Sequence, residues 1–282
     1  MKVGTALSSV LLALADDELI LGHRHSEWTG WAPHLEEDVA FSSIAQDEIG
    51  HAAALYGLAA SSGDVEPDAL AFGREPGEYR NALICERPNR DWAYTLARHW
   101  LYDTADDIRS EALEGSSNAE LAALSHKMRR EERYHLMHAD LWMKRIAQGP
   151  IEGRNRLVHA LTDAFADSLG VFEPYDHEEA AIDEGILTVG SSELLQRFMT
   201  RAGGALDALG LPSTITSPVP EQATEFVASS SGDLLAAGDE ESQEQHTRTE
   251  GFGGRRGTHT DDFKELWDVM TQTYRENPGA RW

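Results

Sequence analysis

The chain has one cysteine, Cys85, in 282 residues. That excludes an internal disulfide, and no Cys-x-x-Cys or Cys/His spacing suited to zinc occurs anywhere, so a reducing cytoplasm is the expected compartment. Lysine is almost missing too: four of the 24 basic residues are lysines, against 49 acidic residues. The resulting formal charge of -25 makes most of the surface repel polyanions, which argues against nucleic acid as a partner. Such an acidic, lysine-poor surface fits adaptation to high salt, and equally an ordinary acidic soluble enzyme. No apolar run approaches the roughly 20 residues needed to cross a bilayer, so no membrane partner is expected. Met1-Lys2 and the apolar run ending Ala13-Leu14-Ala15 mimic a secretory signal, but the pattern continues unbroken into a longer amphipathic stretch and reads as a first helix.

With 41% apolar residues the chain can bury a sizeable core, as one large domain or a bundle with an elaboration. Helical periodicity dominates, with long stretches at residues 4–28, 34–61, 90–114 and 118–148. Gly30 and Pro33 divide the first pair, Ser61-Ser62-Gly63 closes the second, and Pro88-Asn89 opens the third. The Gly115-Ser116-Ser117-Asn118 turn is short enough to make the third and fourth antiparallel neighbours. Residues 64–89 supply the longer link a bundle needs to cross over its end. Further helices are expected over 153–170, 191–209 and 260–276, with 211–258 mostly loop. The reading is all-α: a four-helix bundle over 1–175 and a C-terminal helical and loop elaboration, 176–282, packed on it.

Two of the long stretches carry Glu-x-x-His: Glu48 with His51, and Glu132 with His135. Positions i and i+3 share a helix face, so each pair can grip one metal ion. Alone the motif is weak, since about one copy arises by chance in such a chain. Its setting strengthens it. The row through Glu48 is Phe41, Ile44, Ala45, Ala52 and Leu55, and that through Glu132 is Leu121, Met128, Ala139 and Ile146, so both carboxylates point inward. Burying unpaired carboxylates costs several kcal/mol, which implies cations waiting there.

Bundle proteins with two metal ions add one carboxylate from each remaining helix. Glu18 lies amid Leu11, Leu14, Ala15 and Leu21 on the first helix. On the third, Asp103, Asp106 and Asp107 fall within one turn and spacing does not choose; Asp103 is preferred because it follows the most apolar part of the row. The candidate ligands are therefore Glu18, Glu48, His51, Asp103, Glu132 and His135, a mixed N/O set that suits iron or manganese better than zinc or copper without separating the two. The competing reading is a metal-free bundle with buried Glu–His or Glu–Arg hydrogen bonds. Paired glycosidase carboxylates would not need helix-spaced histidines, and no His-Glu-x-x-His zinc motif is present. His99 and His138 read as hydrogen-bonded residues behind the ligands, and Asp47, Asp106, Asp107 or Glu131 as carboxylates able to accept from a ligand histidine. Trp92, Trp100 and Trp142 read as core. Gly251-Phe252-Gly253-Gly254-Arg255-Arg256-Gly257 has N–H and guanidinium groups for an anion such as a nucleotide phosphate, although a solvated or interface loop is the commoner outcome.

The order Leu14-Ala15-Asp16-Asp17, Ser26-Glu27-Trp28, Ala32-Pro33, Leu35-Glu36-Glu37-Asp38, then Arg133-Tyr134-His135 and Arg255-Arg256-Gly257-Thr258-His259-Thr260, resembles the ferritin-like subunits of bacterial phenylacetyl-CoA epoxidase over nearly the full length. These segments look like the family's structural subunit, whose metal site is normally degenerate. Gln46-Asp47-Glu48-Ile49-Gly50-His51 and Trp100-Leu101-Tyr102-Asp103 instead look like its catalytic subunit, which also favours Asp103. The resemblance implies a ferritin-like fold, a di-iron centre activating dioxygen, and oxygen insertion into the aryl ring of a CoA thioester such as phenylacetyl-CoA. It implies Glu18, Glu48, Asp103 and Glu132 as the catalytic carboxylates. The implied partners are a reductase carrying flavin and an iron–sulfur cluster, and a second ferritin-like subunit or a second copy. A non-catalytic subunit that docks a catalytic partner is the alternative. Metal storage shares the ligand logic, but the long C-terminal elaboration argues against it.

Overall fold

A computed structural model describes residues 5–61, 65–216 and 251–280. The described residues form an all-α, ferritin-like bundle without a strand. Its long helices are α1 (Ala6–Ser26), α2 (Leu35–Ala60), α5 (Trp92–Leu113) and α6 (Ala119–Ala147), with α3 (Pro67–Phe72) and α4 (Leu83–Glu86) in the crossover link. Around them lie α7 (Ile151–Leu169), α8 (Glu178–Asp183), α9 (Ser191–Ala208) and α10 (Asp261–Glu276). Each long helix lies within two residues of its sequence expectation. The short helices α3, α4 and α8 were not foreseen, because four to six residues give too little periodicity. Most of the expected loop 211–258 lies outside the described residues.

Local signals set the helix starts. Thr5 Oγ1 accepts from Ser8 N–H at 3.1 Å, Asp91 Oδ1 from Tyr94 N–H at 2.9 Å, and Asn118 Oδ1 from Leu121 N–H at 2.9 Å. α1 and α5 are buried almost all round, as central helices are. α2 and α6 bury one stripe each and expose the other side. Gly22 lets α1 and α2 approach closely: a Cβ there would stand 2.8 Å from Ile49 Cγ1 and 3.3 Å from Glu48 Cβ.

One half of the interior holds a lattice of ions. Asp17 accepts from Arg255 Nη1 at 2.8 Å and Nη2 at 2.7 Å and also pairs with Arg109, while Arg74 pairs with Asp16. The glycine-rich segment after residue 250 is thus an anion-binding loop, but its anions belong to this chain. Arg255 is buried against Asp17, and Glu173 Oε2 accepts from the N–H groups of Gly253 and Arg255 at 2.9 and 3.2 Å. That occupation replaces the nucleotide-phosphate and solvated-loop expectations. The other half is aromatic: Phe41 lies 5.2, 5.3 and 5.6 Å from the rings of His25, His99 and His138. Trp100 is buried, whereas Trp92 and Trp142 are half-buried and meet edge to face at 6.0 Å.

Candidate metal centre

The six candidate ligands sit between these two halves, each at most 3% exposed. Glu18, His51 and Glu132, from α1, α2 and α6, offer ligand atoms all within 4.8 Å of one another. His51 Nδ1 lies 3.1 Å from Glu18 Oε2 and 3.3 Å from Glu132 Oε1. His135 Nδ1 lies 3.1 Å from Glu132 Oε2, which places the Glu132 carboxylate between the two imidazoles. Both histidines turn Nδ1 inward and Nε2 outward to a carboxylate: His51 to Glu131 at 2.9 Å, His135 to Asp47 at 3.2 Å. Outer carboxylates of this kind fix a ligand ring's orientation and raise its basicity. Of the four carboxylates considered for that task, Asp47 and Glu131 perform it. Asp106 is instead held by Arg109 and Ser110, and Asp107 by Arg129 and Arg201.

Glu48 and Asp103, like His135, lie outside the group of three whose ligand atoms fall within 4.8 Å of one another. The Glu48 carboxylate turns to His25, whose Nδ1 lies 3.0 and 2.9 Å from its two oxygens. Sequence reasoning missed His25. It sits seven residues beyond Glu18, two turns along the same face, and that spacing was the available signal. Tyr102 was also missed; its hydroxyl donates to Glu18 Oε1 at 2.9 Å and accepts from Arg109 Nη2 at 3.1 Å, joining the centre to the ion lattice. Neither Asp103 oxygen makes a hydrogen bond, and His99 Nδ1, at 3.1 Å, is misaligned with it. His138 Nε2 meets Glu37 at 2.8 Å, the expected kind of role.

Buried polar atoms without hydrogen bonds gather here: both oxygens of Asp103, Glu132 Oε1, both ring nitrogens of His99 and His25 Nε2. Since buried polar groups are nearly always satisfied, such a cluster of oxygen and nitrogen donors fits a pair of cations. The electrostatics agree. Burial pushes Glu18 up to about 7 and raises Glu48 and Asp103 well above the usual carboxylate range, helped by neighbouring carboxylates. Burial opposes charge on His51 too, but the adjacent Glu132 and Glu18 carboxylates overcome it and push His51 up to about 11; His135 is likewise raised by Glu132 and Asp47. Burial also works to raise Glu132, yet the charge and hydrogen bond of His135 pull it below its ordinary value.

Groups held toward their protonated forms must lose those protons to ligate a metal, so a divalent ion binding here would release protons, and its affinity would rise with pH. Calorimetric titrations in two buffers of different ionisation enthalpy measure this; proton uptake, or affinity falling from pH 6 to pH 8, contradicts it.

The family described as phenylacetic acid catabolic protein matches residues 2–282. Of two subunits of 1,2-phenylacetyl-CoA epoxidase from Escherichia coli strain K12, the one designated C is 29% identical over 277 residues, covering 98% of this chain and 99% of that protein. The one designated A is 26% identical over 209 residues, covering 70% and 67%. No helix among the described residues is long and apolar enough to cross a membrane.

Proposed function

The chain belongs to the phenylacetic acid catabolic protein family, and we propose that it is an oxygenase subunit of a multicomponent mono-oxygenase that epoxidises the aromatic ring of an acyl-CoA thioester such as phenylacetyl-CoA. The observation that carries this reading is the buried group Glu18, His51 and Glu132, flanked by the equally buried Glu48, Asp103 and His135 and by polar atoms that lack hydrogen bonds. A pair of iron ions bound there would supply the reduction of dioxygen, with electrons from a reductase carrying flavin and an iron–sulfur cluster.

The chain's own groups have definable tasks. Glu132, whose carboxylate reaches both histidines, would hold metal together with His51 and His135, whose rings are oriented by Glu131 and Asp47. Glu18 is held by the Tyr102 hydroxyl and Glu48 by His25, and both would supply carboxylate oxygens to a bound metal. Four carboxylates would offset the positive charge of two divalent ions bound in this water-poor interior. The Phe41, Trp92 and Trp142 cluster gives one side of the centre an apolar boundary.

The second reading is a non-catalytic subunit that organises a catalytic partner, and the nearly complete coverage of the E. coli component designated C favours it. One experiment separates the two. The chain reconstituted with ferrous iron is expected to hold about two ions, to show the absorption of oxo-bridged ferric pairs, and to consume dioxygen with a reductase only when phenylacetyl-CoA is added. Turnover lost in Glu48→Ala supports the catalytic role. Iron bound without turnover, until a second ferritin-like subunit is added, assigns the organising role; failure to retain metal refutes the di-iron reading.

A further inference from the structure

Residues 251–257 hold no regular structure beyond one short turn, Gly254–Arg256, yet they are mostly buried, whereas connecting segments ordinarily run over the surface. They form a strap seated backbone to backbone: a Cβ at Gly251 would overlap Ala166 O, and one at Gly257 would overlap Gly77 O. From this strap the Arg255 side chain, 1% exposed, reaches α1 and donates to both oxygens of Asp17 through Nη1 and Nη2. Ala82 N–H adds a third hydrogen bond at 2.7 Å and Arg109 Nη1 a fourth at 2.5 Å. A carboxylate has about four lone-pair sites, so Asp17 is saturated, held at once by the strap, the crossover link and α5. Glu18 follows it on α1, about 100° further round the helix, so fixing one constrains the other. A second connection runs through side chains. Arg109 Nη2 donates to the Tyr102 hydroxyl at 3.1 Å, and Tyr102 donates to Glu18 Oε1 at 2.9 Å.

We propose that Arg255 is a positioning residue for the metal centre: by locking Asp17, and Arg109 with it, the guanidinium sets the place at which Glu18 meets His51 and Glu132, both along α1 and through Tyr102. The inference rests on the di-iron reading and gives the glycine-rich segment a part in it. A ligand carboxylate already in place loses less conformational freedom when a metal arrives, so Arg255 raises metal affinity without touching the metal. Coupling between two sites is reciprocal, so metal in the centre holds the strap more tightly by the same factor. The strap amides that report this are the N–H groups of Gly253 and Arg255, which both donate to Glu173 Oε2.

Hydrogen exchange at those two amides, with chelator competition for manganous ion, tests this in the full chain. Saturating manganous ion is expected to slow both amides of the wild type about tenfold or more. Tyr102→Phe keeps the ring and breaks the last link; it should remove most of that slowing and weaken manganous-ion binding about tenfold, the effect of an outer partner. Arg255→Met should weaken binding by a similar factor, Arg255→Lys should restore part of it, and the double variant Tyr102→Phe/Arg255→Met should lose less than the product of the two single losses. A role confined to stability predicts a lower unfolding midpoint for Arg255→Met with an unchanged dissociation constant for the ion, or losses that multiply in full; either result overturns the proposal. If Arg255→Met does not fold, Tyr102→Phe and the wild-type exchange decide alone. The metal-free chain separates this inference from the di-iron reading, because there too Tyr102→Phe should quicken exchange of both strap amides about tenfold. That response in a chain that retains no ion supports the linkage and removes the di-iron reading, whereas ion retention with an unresponsive strap does the reverse.

Discussion

Asp17→Asn is expected to be the most destabilising single substitution in the bundle. Asp17 is wholly buried, and burial alone would raise its pKa, but Arg255 and Arg109 hold it below the ordinary aspartate value. Asparagine keeps the shape and removes the charge. Arg109 retains Asp106, whereas Arg255 is left with the carbonyls of Ala13, Arg80 and Val171 as its acceptors. Stranding one partner of a buried ion pair costs about 3–5 kcal/mol, a large share of the roughly 5–15 kcal/mol that holds a domain together. Urea unfolding measures the loss, and the double variant Asp17→Asn/Arg255→Met gives the decisive comparison. Removing the stranded cation should recover part of the stability; a double variant worse than the sum of its parts refutes the argument. The sign with pH follows from the depressed pKa. This stabilisation is complete above the unfolded aspartate value, near 3.9, and is lost only as pH falls through the still lower folded value.

The same lattice explains what was and was not legible in the sequence. The four long helices were readable because apolar residues recur at helical spacing and Gly, Pro, Ser and Asn punctuate the ends. The centre was readable because acids on apolar rows are costly unless something compensates them, and because Glu-x-x-His fixes two side chains on one face. Arg255 was not readable as a core residue: a guanidinium between glycines has no periodicity, and its partner lies 238 positions away. Gly254 gives the physical reason it fits, since a Cβ there would stand 2.1 Å from Asn81 O; the backbone of this segment runs directly against the crossover link. His25 was legible in principle, two turns beyond Glu18. Its orientation toward Glu48 was not, because helical spacing fixes the face but not which of several inward groups a ring will meet. Nor could spacing divide the labour of Asp103, Asp106 and Asp107: only the positions of Arg109, Arg129 and Arg201 reveal that the latter two are engaged elsewhere.

Glu132→Gln should remove metal binding more completely than loss of any surrounding group. Its carboxylate lies between the Nδ1 atoms of His51 and His135, so the amide withdraws a negative charge from both positions at once and leaves a nitrogen with no lone pair for a metal. Glu131→Gln is the graded comparison, because Glu131 touches only the outer nitrogen of His51 and an outer partner is worth about 10–100-fold in affinity. Competition with a chelator is expected to show a loss exceeding 100-fold for Glu132→Gln and at most about 100-fold for Glu131→Gln. Thermal unfolding gives an independent reading. A ligand that binds only the folded state adds about 2.7 kcal/mol at 100 times its dissociation constant, so ferrous or manganous ions should raise the melting temperature of the wild-type chain and leave that of Glu132→Gln unmoved. Without metal the same substitution lowers the pKa of both histidines, since the carboxylate that sustains their charge has gone. Equal metal retention by Glu132→Gln and the wild type would mean that Glu132 is not a metal ligand.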